Sequence, residues 1–295
     1  MESIGYMQSK LPQFSVAMCV YKGDNPEHFD VALQSVTEKQ TVKPNEVVLV
    51  VDGPVTNELN QVIQKYEQHN FFKVFRLEQN QGHGNARRIA LQSCTYDLVA
   101  LMDADDISIF DRFEKQLKTF KENPSLSLVG GNISEFIGEE QNIVGYRLVA
   151  ENQQEIKRDL KKRCPFNQVT VMFKKEDVEK VGGYIDWFCE EDYYLWLRMY
   201  LANMEFANIK DILVNVRVGK EMYQRRGGYK YFKSEAKLQK YMLKNKIIGL
   251  GTYSVNIIKR FIVQVLLPNK LRGWIFKKFA RKSTNERDEN GKEKI

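Results

Sequence analysis

The sequence predicts an α/β fold, a mostly parallel sheet flanked by helices, with a mixed extension and a C-terminal amphipathic helical segment. Three observations carry this expectation. Short β-rich runs alternate with helical patterns over residues 14–111, which implies right-handed βαβ units. Beyond Asp111 that alternation gives way to consecutive strand patterns, the sign of a mixed extension rather than a separate domain. Near the end, apolar residues recur at helical spacing among many lysines and arginines.

Element by element, residues 14–20 (Phe-Ser-Val-Ala-Met-Cys-Val) read as a buried strand, and residues 26–39 as a helix with Pro26 in its first turn. A second strand is expected at 46–51, a helix at 57–68, a third strand at 72–77, a helix at 83–93 and a fourth strand at 97–102. Asp111 is placed to cap a helix running to Glu122. Residues 126–130, 132–137 and 143–148 read as strands or a hairpin, and 166–173 as another strand. An aromatic-bearing helix follows at 190–201, then further strand at 205–218. The chain thus divides into a catalytic domain at 12–230, a basic amphipathic region at 231–282 and a disordered tail at 283–295. Within the domain, the alternating half spans residues 12–110 and the mixed half 111–230.

Composition removes several alternatives. The hydrophobic fraction of 43% and charged fraction of 28% are ordinary for a globular protein. Cys19, Cys94, Cys164 and Cys189 are widely spaced and form no C-x-x-C pair, which argues against a disulfide framework or zinc site. His28, His69 and His83 are equally scattered, so any metal has to be held by carboxylates. The first ten residues lack a signal-peptide pattern, and no run approaches the roughly 18–20 apolar residues of a spanning helix. A cytoplasmic protein, peripheral at the inner face of the cell membrane, is the expectation. Between Glu235 and Glu286 stand twelve basic residues and no acid, so the net charge of +7 becomes −5 elsewhere (7 − 12). Basicity confined to one end points to an anionic membrane surface, and the acidic remainder argues against nucleic acid.

Ligands on parallel sheets bind beyond the carboxyl ends of the strands. The residues there are Tyr21-Lys-Gly-Asp24, Asp52-Gly-Pro54, Asn80-Gln-Gly-His-Gly84 and Asp103-Ala-Asp-Asp106. Asp103, Asp105 and Asp106 directly follow an apolar strand, where mutual repulsion is costly without a cation or donor groups. Such hard oxygens suit Mg²⁺ or Mn²⁺, which are bound by one or two carboxylates together with substrate phosphates.

The chain resembles family 2 glycosyltransferases of the GT-A (Rossmann-like) fold, of the kind that act in bacterial capsule and cell-surface polysaccharide synthesis. The resemblance spans residues 14–228. It rests on Ser15-Val-Ala-Met-Cys-Val-Tyr-Lys22, Val51-Asp-Gly-Pro54, Asn80-Gln-Gly-His-Gly-Asn-Ala-Arg87 and Leu101-Met-Asp-Ala-Asp-Asp-Ile107. Arg112-Phe-Glu114, Val129-Gly-Gly131, Val181-Gly-Gly-Tyr184 and Glu191-Asp-Tyr-Tyr-Leu-Trp-Leu-Arg198 follow in order. The resemblance implies an inverting transferase taking a nucleotide sugar, UDP by family analogy, with Mn²⁺ or Mg²⁺. Asp52 would contact the base, in a pocket lined by the backbone at Val20 and Tyr21. Asp103 would lie against ribose or donor sugar, Asp105 would ligate the metal, and Asp106 would meet a metal-bound water or the sugar. Arg87 matches an arginine near the nucleotide, while Arg88 stands where asparagine is frequent. Asp192 matches the catalytic base and Glu191 an acceptor-positioning residue. Gln168 occupies a slot where relatives often carry histidine.

Arg225 and Arg226, before Gly227-Gly228, could clamp the diphosphate, since arginine pairs bidentately with phosphate. Val255, Ile258, Phe261, Ile262, Val265 and Leu266 form one apolar stripe, and Leu271, Trp274, Ile275 and Phe279 a second. A basic amphipathic helix with Trp and Phe lies in the membrane interface, although these stripes could instead pack on the domain or form a homodimer. A saccharide acceptor carried on a lipid fits the membrane reading. Two rival functions remain at this level. A nucleotidyltransferase would carry a glycine-rich basic loop after the first strand, which Tyr21-Lys-Gly-Asp-Asn25 is not. A non-catalytic nucleotide-sugar-binding scaffold would have no need of both Asp105 and Asp192.

Overall fold

A computed structural model describes residues 11–219 and 227–268. Four strands begin the sheet: β1 (Phe14–Val20), β2 (Glu46–Val51), β3 (Phe72–Arg76) and β4 (Leu98–Met102). They run parallel in the order β3-β2-β1-β4, with Val20 beside Val51 and Met18 beside Met102, so their carboxyl ends share one edge. Their apolar runs are continuous because both faces are covered. Phe14, Val16, Met18 and Val20 pack with α1 (Pro26–Val36) and α2 (Asn57–Glu67), through Phe29, Leu33, Leu59 and Ile63. The opposite face, with Ala17, Val48 and Val50, packs on α3 (His83–Ser93) through Ala86, Ala90 and Leu91. Each fully buried Leu, Ile or Phe contributes about 1.5–3 kcal/mol.

The sheet continues through β8 (Met172–Lys174), β6 (Leu126–Phe136), β9 (Glu205–Arg217) and β5 (Ile107–Ser108), with β7 (Ile143–Arg147) paired to β6. Here β8 is antiparallel to both β4 and β6, β9 is parallel to β6, and β5 is antiparallel to β9. The expected mixed extension is therefore part of the same sheet. The helices of this half are α4 (Arg112–Glu122), α5 (Gln153–Leu160), α6 (Lys175–Lys180) and α7 (Glu191–Leu201). Trp196, Leu195 and Met199 of α7 complete the core on the α3 side.

Four local expectations are corrected. Residues 126–130 and 132–137 form one strand, not two. Gly130 and Gly131 lie inside it because a Cβ at either would collide with Asn208 or Leu213 of β9, so the glycines mark a close approach and not a turn. Residues 166–173 are mostly a loop with a 3₁₀ turn (Gln168–Thr170), since the Asn167 amide donates to the Gly131 carbonyl (2.8 Å) and the Thr170 hydroxyl to the Asn167 carbonyl (2.7 Å). Polar side chains of this kind draw the backbone out of a ladder. The first helix ends at Val36, where the Thr37 hydroxyl donates to the Leu33 carbonyl (2.7 Å). Asp111 stands at the start of α4 but caps nothing with its side chain, which pairs instead with Lys115 at 2.8 Å.

At the C-terminal end, α8 (Tyr229–Lys244) and α9 (Leu250–Phe261) enclose a small core of Leu160, Tyr193, Leu197, Leu238, Met242, Ile247 and Ile248. A short π-helical turn (Ile262–Leu266) extends α9. The polarity of α9 is inverted relative to an ordinary surface helix. It buries Asn256 and the turn buries Gln264, while Leu250, Val255, Ile258, Phe261, Ile262 and Leu266 face outward. Polar contacts hold the inner face: the Asn256 amide donates to Gln239 (2.9 Å), Arg260 pairs with Glu235 (3.1 Å), and Gln264 also donates to Glu235. Among the described residues no helix is long and apolar enough to cross a membrane. Arg225, Arg226, the second apolar stripe from Leu271 and the tail lie outside the described residues.

Candidate active site

The parallel edge gathers the expected residues. Tyr21 and Asp52 immediately follow β1 and β2, and Asp103 follows β4. The Tyr21 ring folds over Gly23, where a Cβ would have no room, and the Tyr21 amide donates to Asp24 (2.9 Å). Asp52 accepts from the Gln81 and Gly82 amides at 2.6 and 3.1 Å, fixing the loop that opens α3. A carboxylate offers about four lone-pair sites, so these two bonds leave acceptor capacity for a ligand. Gly53 has φ +87° with the Asn80 amide nitrogen 2.6 Å from a would-be Cβ, so only glycine lets the two loops meet.

Arg87 is the junction of the site. Its buried guanidinium donates to Asp103 (2.7 Å) and Glu191 (3.4 Å), tying the acidic loop after β4 to the first turn of α7. Gly84, one turn earlier, lets α3 cross the segment before α7, its would-be Cβ lying 3.3 Å from the Asp186 Cα and 3.6 Å from the Glu191 Cβ. Residues far apart in sequence thus form one constellation.

Electrostatics separates the carboxylates. Burial raises the Asp103 carboxyl, but the Arg87 charge and hydrogen bond, together with His83 and Arg112, outweigh it and hold the group below the usual carboxylate range. Asp106 is buried and its carboxyl is pushed well above that range, first by burial and then by Asp105 and Asp103. It accepts from the Arg217 amide (2.9 Å), and the Arg217 side chain donates to the Asp105 carbonyl (3.2 Å), so β9 braces the acidic loop. In the first turn of α7, burial and the neighbouring Asp192 charge push Glu191 up to about 7. Asp192 is also raised by burial, against the opposing Arg87 charge, its own helix amide at Tyr193 and Arg147. Acids in the first turn of α7 are favoured by the helix dipole, and a raised carboxylate there is a stronger base.

Several further participants had no role assigned from the sequence, although Asp24 and His83 lie in the stretches after the strands. Asp24 stands near the acidic loop and is pushed up to about 6 by burial, with Asp105 and Asp103 adding to the effect. His83 is held down at about 4 by the Arg87 charge and then by burial, so its imidazole is neutral at pH 7 where it meets Glu191 at 3.7 Å. Arg112 is fully buried beneath the loop, donating to the Leu101 carbonyl (2.9 Å) and Gln116 (3.0 Å). Gln168 lies against the Tyr184 hydroxyl, close to Asp192 and Glu191. The Asp-rich loop was legible locally, and these residues stood in segments singled out there, whereas their contacts across elements had no local signal.

Among the described residues no group of three His, Cys, Asp or Glu side chains converges tightly enough to hold a metal alone. Asp105 and Asp103 nonetheless add to the burial that raises the Asp24 carboxyl, and a divalent cation beside these carboxylates would relieve that repulsion. This donor set fits Mg²⁺ or Mn²⁺ completed by substrate phosphates.

Comparison with known proteins agrees with this geometry. Residues 15–182 match the family described as Glycosyl transferase family 2, and the chain belongs to that family. It is 38% identical over 278 residues to the Escherichia coli UDP-Gal:α-D-GlcNAc-diphosphoundecaprenol β-1,3-galactosyltransferase, covering 94% of this chain and 99% of the relative. It is 33% identical over 265 residues to the Erwinia amylovora amylovoran biosynthesis glycosyltransferase AmsE, covering 90% and 98%. Its fold is that of GT-A glycosyltransferases. S. aureus TarS in complex with UDP-GlcNAc superposes with TM-score 0.63 at 18% identity, over 86% of this chain and 73% of that one. The Pyrobaculum calidifontis mannosyltransferase PcManGT, solved with GDP-Man and Mn²⁺, gives 0.59 at 15%, over 90% and 72%. The chain is thus a family 2 glycosyltransferase of polysaccharide biosynthesis.

Proposed function

We propose that this glycosyltransferase moves a hexose from a UDP-sugar to a saccharide carried on a lipid diphosphate, with inversion at the anomeric carbon. The observation that carries the reading is Arg87, which joins donor-side Asp103 to acceptor-side Glu191 in one ion-pair network. The UDP-sugar and lipid diphosphate substrates of the Escherichia coli relative support the substrate class.

In this reading Asp52, Val20 and Tyr21 border the nucleotide, and Asp103 faces the ribose or donor sugar. Asp105, with Asp103 and Asp24 beside it, would hold Mn²⁺ or Mg²⁺, and the bound ion supplies Lewis-acid neutralisation of the departing diphosphate. Asp192 removes the proton from the acceptor hydroxyl as that oxygen attacks the anomeric carbon. The bond from that carbon to the UDP oxygen breaks on the opposite face, and UDP leaves with the electron pair. Glu191 orients the acceptor, and Arg87 keeps the two carboxylate groups in register. General-base assistance of this kind contributes about 10²–10⁴-fold.

The enzyme works at an anionic membrane surface, a role supported by the outward apolar face of α9 and by the basic C-terminal end. Each basic residue near such a surface adds about 1 kcal/mol.

Thermal melting against UDP, GDP, CDP and ADP, with and without Mn²⁺, tests the donor site. UDP at a hundredfold excess over its dissociation constant should stabilise by about 2.7 kcal/mol in the presence of metal. Asp105→Asn should lose that stabilisation. Absence of a shift with every nucleotide in either condition defeats the proposal.

A further inference from the structure

A cavity of about 380 Å³ opens between the segment leading into α7 and one face of α8, in the size range of small-ligand sites. Asp186 stands in its wall, and the same residue packs against Gly84 at the start of α3, one wall from Glu191. The floor is aromatic. Trp187 meets Tyr194 with ring centroids 4.5 Å apart, and Tyr194 meets Tyr241 at 4.8 Å. The indole N–H of Trp187 donates to the Ser234 hydroxyl (2.9 Å), which donates to the Phe188 carbonyl (2.6 Å), so the platform is held in place.

Above this floor stand Lys237, Lys240 and Lys244, spaced i, i+3, i+7 on one face of α8. Lys237 lies 4.2 Å from the Trp187 ring centroid. None of the three is paired with a carboxylate among the described residues. Three lysines lining one cavity with a fixed aromatic floor suit a ligand with a compact, multiply charged anion joined to a sugar. Lysines bind the phosphate oxygens through charge-assisted hydrogen bonds, and ring faces stack on the C–H face of the sugar.

We propose that this cavity holds the diphosphate of a saccharide-diphosphate-lipid acceptor, with Lys237, Lys240 and Lys244 on the phosphates and the adjoining sugar along the aromatic wall. The inference rests on the function proposed above and assigns its acceptor subsite. Placement agrees with it, because the cavity lies between α8 and the segment leading into α7, whose first turn carries Glu191 and Asp192.

The test is calorimetric titration of the full chain, loaded with UDP and Mn²⁺, with GlcNAc-α-diphosphoundecyl and with an undecyl GlcNAc glycoside lacking the diphosphate. The wild type should bind the first at least tenfold more tightly. The K237Q/K240Q/K244Q variant should lose that preference, with unchanged UDP binding and melting temperature. A wild type without the preference, or a variant that keeps it, overturns the subsite. Phosphatidylglycerol vesicles separate the phosphate sources. If the variant loses vesicle binding yet keeps the diphosphate preference, the lysines read lipid headgroups and the proposal fails. A protein that shows the lysine-dependent preference but transfers no sugar retains the subsite and loses the function. Transfer to both probes with equal KM does the reverse.

Discussion

Replacing Arg87 with methionine removes the cation that serves both halves of the site. The Arg87 side chain is 7% exposed, Glu191 10% and Asp103 36%. Removing one partner of a buried pair costs about 3–5 kcal/mol, because the other charge is left uncompensated. Partial exposure of Asp103 lets water screen part of that loss, which brings the expected cost to about 2–4 kcal/mol. For a chain of this size that corresponds to a melting temperature lower by roughly 3–6 °C, readable by differential scanning calorimetry. Adding Asp103→Asn removes one of the stranded charges, so R87M/D103N should recover about 1–2 kcal/mol relative to additivity. Transfer should fall at least a hundredfold, since Glu191 loses the charge that opposes its protonation. An Arg87→Met protein melting within a degree of wild type, or strict additivity with Asp103→Asn, refutes the bridging role.

Three further outcomes follow from the same geometry. Arg112→Ala removes the side-chain donor to the Leu101 carbonyl and to the Gln116 Oε1 in the core and leaves a cavity there, and urea unfolding should register a loss of about 3–5 kcal/mol. Because burial raises the carboxyls of Asp192 and Glu191, the base becomes protonated at higher pH than an ordinary aspartate. The acid limb of kcat/KM should therefore stand clearly above pH 4, with activity lost as pH falls through it, and a limb at 4 would contradict the burial argument. Ile258→Glu with Ile262→Glu places charge on the exposed face of α9, so sedimentation with anionic vesicles should drop several-fold while the melting temperature stays within about 1–2 °C. Unchanged sedimentation, or a change in oligomeric state instead, would assign that face to another partner.

What could be read from the sequence followed from local chemistry. β1, β2 and β4 announced themselves because helices cover both faces, leaving unbroken apolar runs, and the carboxylates after β4 sit where ligands meet parallel sheets. Asp103 and Asp105 were visible for that reason. The apolar stripe of α9 was visible too, but not that it faces outward while Asn256 and Gln264 turn in, since periodicity does not say which face is covered. Asp24, Arg217 and Arg112 reach the acidic loop through contacts that no local pattern encodes. Gly130 and Gly131 misled for a related reason: their meaning lies in the neighbouring strand β9.

The most direct test of the central claim is Asp192→Asn, assayed with a UDP-sugar and a saccharide-diphosphate-lipid acceptor alongside calorimetric UDP binding in Mn²⁺. The account predicts transfer reduced at least a hundredfold, a loss in the range of general-base assistance, with UDP affinity within a few-fold of wild type. Near-normal transfer by the variant would contradict it, because the proton would then be leaving by another route.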